Sequence, residues 1–248
     1  KIWLCSLGWH VIPAFTIASK ASCSDTQIRD RLSKEFKDLE IVTFRDDFKR
    51  SFDECLEILQ EFVGRVKYVS IHAPSGLTVA HIGDDTHRKI AEHCVKELIR
   101  AAPLIDCERV VFHGFYYVTE VNSHTSAMAL RKAASQKCVD SIKRFDTIAR
   151  DLGVRICLEN INACVRLDRT YYLIFGASPS DLMETSVNVG SDSFRFCFDA
   201  AHANNFSRVI SESQEMQALY GTKPLSVSDF FRIISDNVSI VHLSDAKG

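Results

Sequence analysis

The sequence lacks the features of a membrane protein and of a non-specific nucleic-acid binder. It contains no run of the ~20 apolar residues that a membrane-spanning helix needs and no recognisable signal peptide. It has 30 Lys and Arg residues and 32 Asp and Glu residues, which gives a net charge of −2. The basic excess that phosphate neutralisation requires is therefore missing. We expect no membrane partner, and nucleic acid as a partner only under the alternative function given below.

The nine cysteines do not form the spacings of a metal or redox motif. No Cys-x-x-Cys pair occurs, which argues against a zinc ribbon and a thioredoxin-type site. Cys5, Cys157 and Cys197 lie inside apolar runs, where a free cysteine behaves as a small core residue. An odd, scattered set is typical of a reducing compartment. We therefore predict a cytoplasmic protein without a disulfide framework.

The composition favours one α/β domain. With 10 glycines and 5 prolines, the chain is poor in the residues that tight turns need. Rossmann glycines and a Walker phosphate loop are also absent. No low-complexity linker interrupts the 248 residues, of which 46% are hydrophobic. We predict a single domain over 1–248.

Apolar strands alternate with amphipathic helices along the whole chain. The predicted strands are Ile2–Leu7, Glu40–Phe44, Lys67–His72, Arg109–His113, Arg155–Glu159, Phe194–Asp199 and Val238–Leu243. The predicted helices are Ser24–Leu39, Phe52–Val66, Asp85–Ala102, Thr125–Leu152, one that begins at Ser178-Pro179, and Val227–Ser235. This alternation predicts a parallel sheet, and strands that are apolar nearly throughout have both faces covered.

Five of these strands end at a histidine or a carboxylate. The residues are His72, His113, Glu159, Asp199 with His202, and His242 with Asp245. An open sheet gathers its site at one switch point, whereas a closed barrel brings the carboxyl ends of all its strands to one mouth. The set therefore predicts a (β/α)8 TIM barrel with a metal site at its mouth. Only seven strands are found, so we expect a barrel that lacks its eighth strand and is C-terminally incomplete.

The strand ends carry five short motifs that together resemble a known superfamily. They are Ile71-His72-Ala73-Pro74, Val111-Phe112-His113-Gly114, Leu158-Glu159-Asn160, Phe198-Asp199-Ala200-Ala201-His202-Ala203 and His242-Leu243-Ser244-Asp245-Ala246-Lys247-Gly248. In this order they resemble the xylose-isomerase-like TIM-barrel superfamily. That group includes sugar and sugar-phosphate isomerases and epimerases, and apurinic endonucleases of the endonuclease IV type. The resemblance covers Lys67 to Gly248.

The resemblance implies a metal-dependent isomerase or epimerase that acts on a sugar, a sugar phosphate or a related polyol. Glu159, Asp199 and His242 would hold one divalent metal, and Mn²⁺, Mg²⁺, Co²⁺ and Zn²⁺ all suit such mixed donors. Glu159 would also be the catalytic acid–base group that moves a proton. The fourth ligand of the family, a glutamate on an eighth strand, has no counterpart up to Gly248. The implied partner is a small sugar-like molecule.

The predicted role of three histidines differs between the two kinds of enzyme in this superfamily. In an isomerase, His72, His113 and His202 would line the pocket and bind substrate. In an endonuclease IV-like enzyme, which cleaves DNA phosphodiesters at abasic sites, the same residues would help to hold two or three zinc ions. His72 and His113 would then hold one ion, with Glu159 bridging to a second. Against this alternative, the loop Arg45–Arg50 lacks the Asn-Pro-Arg run that those enzymes place there.

A second alternative, and several weaker site residues, also stay open. The barrel could bind a sugar-like ligand without catalysis, for which the loss of the eighth-strand glutamate would be the sign. Asp245 either caps the segment that follows it or belongs to the site. Lys247 reaches a substrate phosphate or faces water, and His10 lies after the first predicted strand, where it would form a pocket wall. The sequence leaves the oligomeric state open, a homo-oligomer included.

Overall fold

The computed structural model describes residues 18–48, 52–81, 84–114, 120–121, 124–163, 165–167, 170–172 and 175–243. Within them the strands are β1 Ser19–Ser22, β2 Asp38–Val42, β3 Lys67–His72, β4 Arg109–His113, β5 Glu120–Val121, β6 Arg155–Glu159, β7 Val165–Leu167, β8 Thr170–Tyr172, β9 Phe194–Asp199 and β10 Val238–His242. The α-helices are α1 Asp25–Ser33, α2 Asp53–Gln60, α3 Asp85–Ala101, α4 His124–Asp151, α5 Pro179–Val189, α6 Ala200–Glu212, α7 Gln214–Tyr220 and α8 Val227–Ile234.

Seven of the strands form one parallel sheet in the order β1-β2-β3-β4-β6-β9-β10. Helices lie in the connections, and the sheet curls into a half-barrel. The predicted fold class is confirmed: the seven parallel strands and their helices form a TIM barrel without an eighth strand in the residues that the structure describes. The carboxyl ends of all seven strands therefore point to the same side of the curled sheet.

A second, smaller sheet was not predicted. It has three strands in the antiparallel order β5-β8-β7. Its strands come from two connections, one that follows β4 and one that follows β6. Both connections begin at the carboxyl ends of barrel strands, so this sheet belongs to the mouth of the barrel. Strands of two or three residues carry too short a pattern to be recognised in sequence.

The sequence predicts the central strands better than the edges of the fold. The bounds of β3, β4, β6 and β9 are those predicted. The first helix is shorter than predicted because the backbone of Glu35 turns to a φ of 65° after it, and β2 begins at Asp38. The strand Ser19–Ser22 and the helices α6 and α7 were not predicted. The predicted strand Ile2–Leu7 lies outside the described residues.

Helices α4, α5 and α8 are bounded by capping groups that their sequences suggest. Ser178 and Asp181 form a reciprocal capping box with Pro179 at the first helical position of α5, and Ser226 caps α8 in the same way. Gly153 follows α4 with a φ of 67°, the left-handed conformation that glycine adopts without strain. No helix among the described residues is long and apolar enough to cross a bilayer.

The core lies mainly between the helices and the outer face of the sheet. Its largest fully buried side chains are aromatic, and Phe112 of β4 meets Phe145 of α4 edge-to-face at 5.7 Å between ring centroids. A separate small cluster of Val111, Cys157 and Cys197 fills the inner face of the sheet. Cys157 and Cys197 are thus the core residues that the sequence predicts.

One cysteine pair departs from the prediction. Cys23, after β1, and Cys55, in α2, form a disulfide, although 32 residues separate them in sequence. Only the fold brings their Cα atoms to 5.5 Å, so spacing alone could not reveal the pair. The remaining cysteines of the described residues are free and buried. Burial raises the pKa of Cys94 and Cys107 to about 11, so these thiols stay protonated at neutral pH.

Candidate active site

The side chains of the candidate site lie at the carboxyl ends of the strands, above the small inner cluster. On four neighbouring strands the site residue follows an inner apolar residue by two positions. The pairs are Val111 and His113, Cys157 and Glu159, Cys197 and Asp199, and Ile240 and His242. Residues two apart on a strand point to the same face. Small apolar side chains below therefore leave room for polar side chains at the strand ends.

Strand register places these polar side chains next to one another. His113 is paired with Glu159 across β4 and β6, and Asp199 with His242 across β9 and β10. Glu159 is itself level with Cys197, so Asp199 lies one side-chain layer above it. The site is therefore two adjacent rows of polar residues, one centred on Glu159 and one on Asp199 and His242.

Glu159 lies at the centre of four histidines and is only 3% exposed. His72 Nε2 donates to its Oε2 at 2.7 Å, and His113 Nε2 donates to the same oxygen at 3.2 Å. His242 Nδ1 donates to Oε1 at 2.9 Å, and His202 Nδ1 lies 4.0 Å from that oxygen. Burial by itself raises the pKa of Glu159, but the bonds from His113, His242 and His72 outweigh it and hold the pKa well below its usual range.

His242 joins Glu159 to a second buried carboxylate, which sequence analysis did not identify. Its Nε2 donates to Oε2 of Glu40 at 2.9 Å. Burial lowers the pKa of His242, yet the bonds to Glu159 and Glu40 raise it to about 9. Burial raises the pKa of Glu40, and the contact with His242 brings it to about 2. The signal in the sequence was a lone charged residue inside the apolar run Leu39-Glu40-Ile41-Val42.

Asp199 and His202 are held by Asn160, the residue after Glu159. The Asn160 side chain accepts from the Asp199 backbone N–H at 2.7 Å and donates to the Asp199 carbonyl at 2.9 Å. The backbone carbonyl of Asn160 accepts from His202 Nδ1 at 2.7 Å. The Asp199 carboxylate accepts from the His202 backbone N–H at 2.9 Å and so caps α6. The Leu-Glu-Asn motif thus ties β6 to β9 at the level of the site.

Glu159 belongs to three groups of possible metal ligands. In each group the donor atoms lie within 4.8 Å of one another. The groups are Glu159 with His72 and His113, Glu159 with Cys197 and His242, and Glu159 with Asp199 and His202. The structure thus brings Asp199 and His242 each close to Glu159, but in different groups. The single set of Glu159, Asp199 and His242 stays a prediction, as do the roles of His72, His113 and His202.

The donor chemistry of the site suits a divalent cation. Carboxylate oxygens and imidazole nitrogens are the ligands that Mn²⁺, Co²⁺ and Zn²⁺ take in proteins. Three buried carboxylates, Glu40, Glu159 and Asp199, meet here. Oε1 of Glu40 is buried without a hydrogen bond, and the Lys20 ammonium approaches it only as an ion pair at 3.3 Å. Buried negative charge of this kind requires positive charge nearby, which Lys20 and His242 supply to Glu40 in this structure.

Gly114 is required by close packing behind the site. A Cβ at this position would lie 2.4 Å from Cδ1 of Leu158 and 3.2 Å from Sγ of Cys138, both buried. We expect Gly114→Ala to lower the free energy of unfolding by about 1–3 kcal/mol, the usual cost of overpacking. Because Leu158 precedes Glu159, the substitution should also disturb the site. Urea unfolding measures the effect, with Gly76→Ala, where a Cβ meets nothing within 4 Å, as the control; equal stability of the two variants would contradict the packing argument.

Three predicted site residues lie outside the described residues. They are His10, Asp245 and Lys247. Their roles stay predictions. The described part of the loop after β2 forms a short 3-10 helix over Arg45–Phe48.

The sequence and the fold assign the chain to a family. Residues 33–248 match the xylose isomerase-like TIM-barrel family, and the chain belongs to it. This agrees with the seven parallel strands and with the strand-end motifs.

Individual relatives are more distant. The chain is 28% identical over 137 residues to the uncharacterized protein MJ1311 of Methanocaldococcus jannaschii, a match that covers 55% of this chain and 42% of that protein. It is similar to the crystal structure of a D-tagatose 3-epimerase-like protein, with a TM-score of 0.65, 20% identity, and coverage of 91% of this chain and 75% of the other. It is also similar to the crystal structure of D-psicose 3-epimerase with D-tagatose from Clostridium cellulolyticum H10. That match has a TM-score of 0.60 and 14% identity, and it covers 89% of this chain and 68% of the other. At these identities the structural matches show the fold.

Proposed function

We propose that the protein is a metal-dependent isomerase or epimerase of a sugar, a sugar phosphate or a related polyol. The observation that carries the proposal is the buried Glu159 carboxylate, held by three histidine N–H groups at the barrel mouth. Solved structures of the same fold include sugar epimerases, among them D-psicose 3-epimerase. The chemistry of the donor set adds independent support.

Glu159 would remove the proton from the carbon next to the substrate carbonyl. A divalent cation, when bound, would polarise the substrate oxygens and make that C–H acidic. Glu159 is ionised at neutral pH, because its pKa is held below its usual range, so the carboxylate can accept a proton. His72 and His113 fix the carboxylate through Oε2, which leaves Oε1 on the side of His242 and His202. Return of the proton to the neighbouring carbon gives the isomer, and return to the opposite face of the same carbon gives the epimer.

Proton exchange tests this proposal even before the sugar is identified. The protein, supplied with Mn²⁺, Co²⁺ or Mg²⁺, is incubated in D₂O with a panel of ketoses, aldoses and their phosphates. We expect deuterium at the carbon next to the carbonyl of one substrate class, together with the new isomer, both followed by NMR. Saturable binding of a sugar without any exchange would instead favour a non-catalytic sugar-binding barrel.

Metal removal should affect both activity and stability. We expect one divalent ion per chain in the purified protein and complete loss of proton exchange after chelation. A ligand present at 100 times its Kd adds about 2.7 kcal/mol to the free energy of unfolding. For a chain of this size that corresponds to a rise in Tm of roughly 5–10 °C. Thermal unfolding with and without Mn²⁺ measures the shift; an unchanged Tm and undiminished exchange after chelation would contradict metal dependence.

A second candidate function has one observation in its favour. The group of His72, His113 and Glu159 shares only Glu159 with the group of Glu159, Asp199 and His202, so the described residues have donors for two ions if Glu159 bridges them. Two or three zinc ions per chain, with strand cleavage at an abasic site in a DNA duplex, would favour an endonuclease IV-like phosphodiesterase. The measured metal content therefore discriminates between the two functions before any substrate is found.

A further inference from the structure

Glu40 is a buried charge that no step of the proposed chemistry uses. It lies in β2 between Leu39 and Ile41, both fully buried, and is itself 4% exposed. Those neighbours point to the outer core, since alternate residues of a strand face opposite sides. The Glu40 side chain therefore faces the inner side of the curled sheet, three strands away from β6 and separated from His242 by 202 residues of sequence.

One oxygen of Glu40 is fixed by two donors. Ser70 Oγ, on the neighbouring strand and paired in register with Glu40, donates to Oε2 at 2.6 Å. His242 Nε2 donates to the same oxygen at 2.9 Å. The His242 ring also stacks on His72, with centroids 5.8 Å apart and planes 26° from parallel. The ring is therefore held at both nitrogens and on one face.

We propose that Glu40 is a positioning residue that orients His242 to bind a divalent cation through Nδ1, a role that rests on the proposed function. Because Nε2 keeps its proton in the bond to Glu40, Nδ1 is the nitrogen on the Glu159 side, where the other carboxylate and imidazole donors lie. The Nδ1 proton, which is donated to Glu159 in this structure, would be released when a cation binds there. A carboxylate that accepts the second N–H of a ligating histidine fixes its tautomer and its ring orientation, and makes the ligating nitrogen more basic. Glu40 and Ser70 supply these effects from β2 and β3.

Stability alone does not account for a glutamate at this position. A buried ion pair contributes little net free energy of folding, because desolvation of both charges offsets their attraction. An apolar side chain of similar volume would often serve the core equally well. The exposed Glu54 in α2 provides a matched control, since it lies outside the barrel interior.

Isothermal titration of Mn²⁺ into the chelator-treated full chain tests the proposal. The variants are Glu40→Ala, which removes the acceptor, Glu40→Gln, which keeps an acceptor oxygen but loses the charge, and Glu54→Gln as control. We expect Mn²⁺ affinity to fall about 10–100-fold in Glu40→Ala, the usual effect of removing a residue that hydrogen-bonds to a metal ligand. The fall should be smaller in Glu40→Gln. Glu54→Gln should bind like the wild type. Circular dichroism and thermal unfolding of the metal-free proteins report whether each variant folds.

The outcomes separate this inference from the proposed function. A wild-type chain that binds no Mn²⁺, Co²⁺ or Zn²⁺ overturns the proposed function and the role of Glu40 with it. If the wild type binds Mn²⁺ and the folded Glu40→Ala variant binds it with the same affinity, the role of Glu40 is overturned and the proposed function is not. A purely structural role would lower the Tm of the metal-free variant and leave its Mn²⁺ affinity unchanged. If Glu40→Ala does not fold, Glu40→Gln decides: affinity equal to the wild type counts against the proposal, and a measurable loss supports it.

Discussion

Replacing Glu159 with glutamine is expected to lower the rate of substrate proton exchange by about 10²–10⁴-fold, the contribution usual for a positioned base. Glutamine has nearly the same shape and keeps one acceptor oxygen, but its amide cannot take up a proton. The low pKa of Glu159 makes the loss visible across the neutral range, because the wild-type carboxylate is ionised throughout it. Deuterium uptake from D₂O, followed by NMR at saturating substrate, measures the rate.

Folding and charge must be controlled in this experiment. Glu184→Gln is the matched control, since Glu184 is exposed on α5 and belongs to none of the groups of possible metal ligands. It should exchange protons at the wild-type rate. Circular dichroism of Glu159→Gln should show the wild-type helix content, with a lower Tm because His72 and His242 lose an ionised partner. Full exchange by a folded Glu159→Gln variant would remove Glu159 from the mechanism.

The sequence predicts those strands whose bounds can be recognised from a local pattern of apolar and polar residues. Arg109–His113 and Arg155–Glu159 are short apolar runs that stop at a polar residue, and their bounds are confirmed. A parallel barrel then requires the strand ends to meet, which is why five separate motifs could be assigned to one mouth. Helix bounds were confirmed where a cap defines them, as at Ser178.

The features that were missed depend on contacts between distant residues. Glu40 looks like an ordinary residue of a strand, and only the curl of the sheet brings it to His242. The bond between Cys23 and Cys55 likewise requires that β1 and α2 lie close together. No local pattern encodes either pairing. Helix α6 was missed because Asp199 ends a strand and caps the next helix at once, which leaves no loop to mark the boundary.

The position of Asp199 also shows how local capping shapes the site. Its carboxylate accepts from the backbone of His202, so it serves α6 as well as the strand-end cluster. His242 is engaged by Glu40 and Glu159 at both nitrogens. The two predicted ligands therefore fall into separate groups around Glu159. For His242 to bind a cation through Nδ1, its bond to Glu159 has to be replaced by the cation, while Nε2 keeps its bond to Glu40.

Asn160 is expected to be the residue whose loss most destabilises the site. It is fully buried, and its side-chain amide extends the ladder between β6 and β9 by pairing with both backbone groups of Asp199. Asn160→Ala removes the acceptor of a buried N–H and the donor to a buried carbonyl. At about 1–3 kcal/mol for each such group, we expect the free energy of unfolding to fall by roughly 2–6 kcal/mol, and Tm by about 4–24 °C.

A second substitution separates these hydrogen bonds from the volume of the side chain. Asn160→Asp keeps the shape and the acceptor, but it sets an oxygen against the Asp199 carbonyl in place of the amide donor. It should therefore be destabilised at neutral pH even though no cavity is made, and its Mn²⁺ affinity should fall because Asp199 loses the support of the amide donor. Asn204→Ala, at an exposed position of α6, should unfold like the wild type in urea. If Asn160→Asp matched the wild type in both stability and Mn²⁺ affinity, the amide pairing would not be what holds Asp199 beside Glu159.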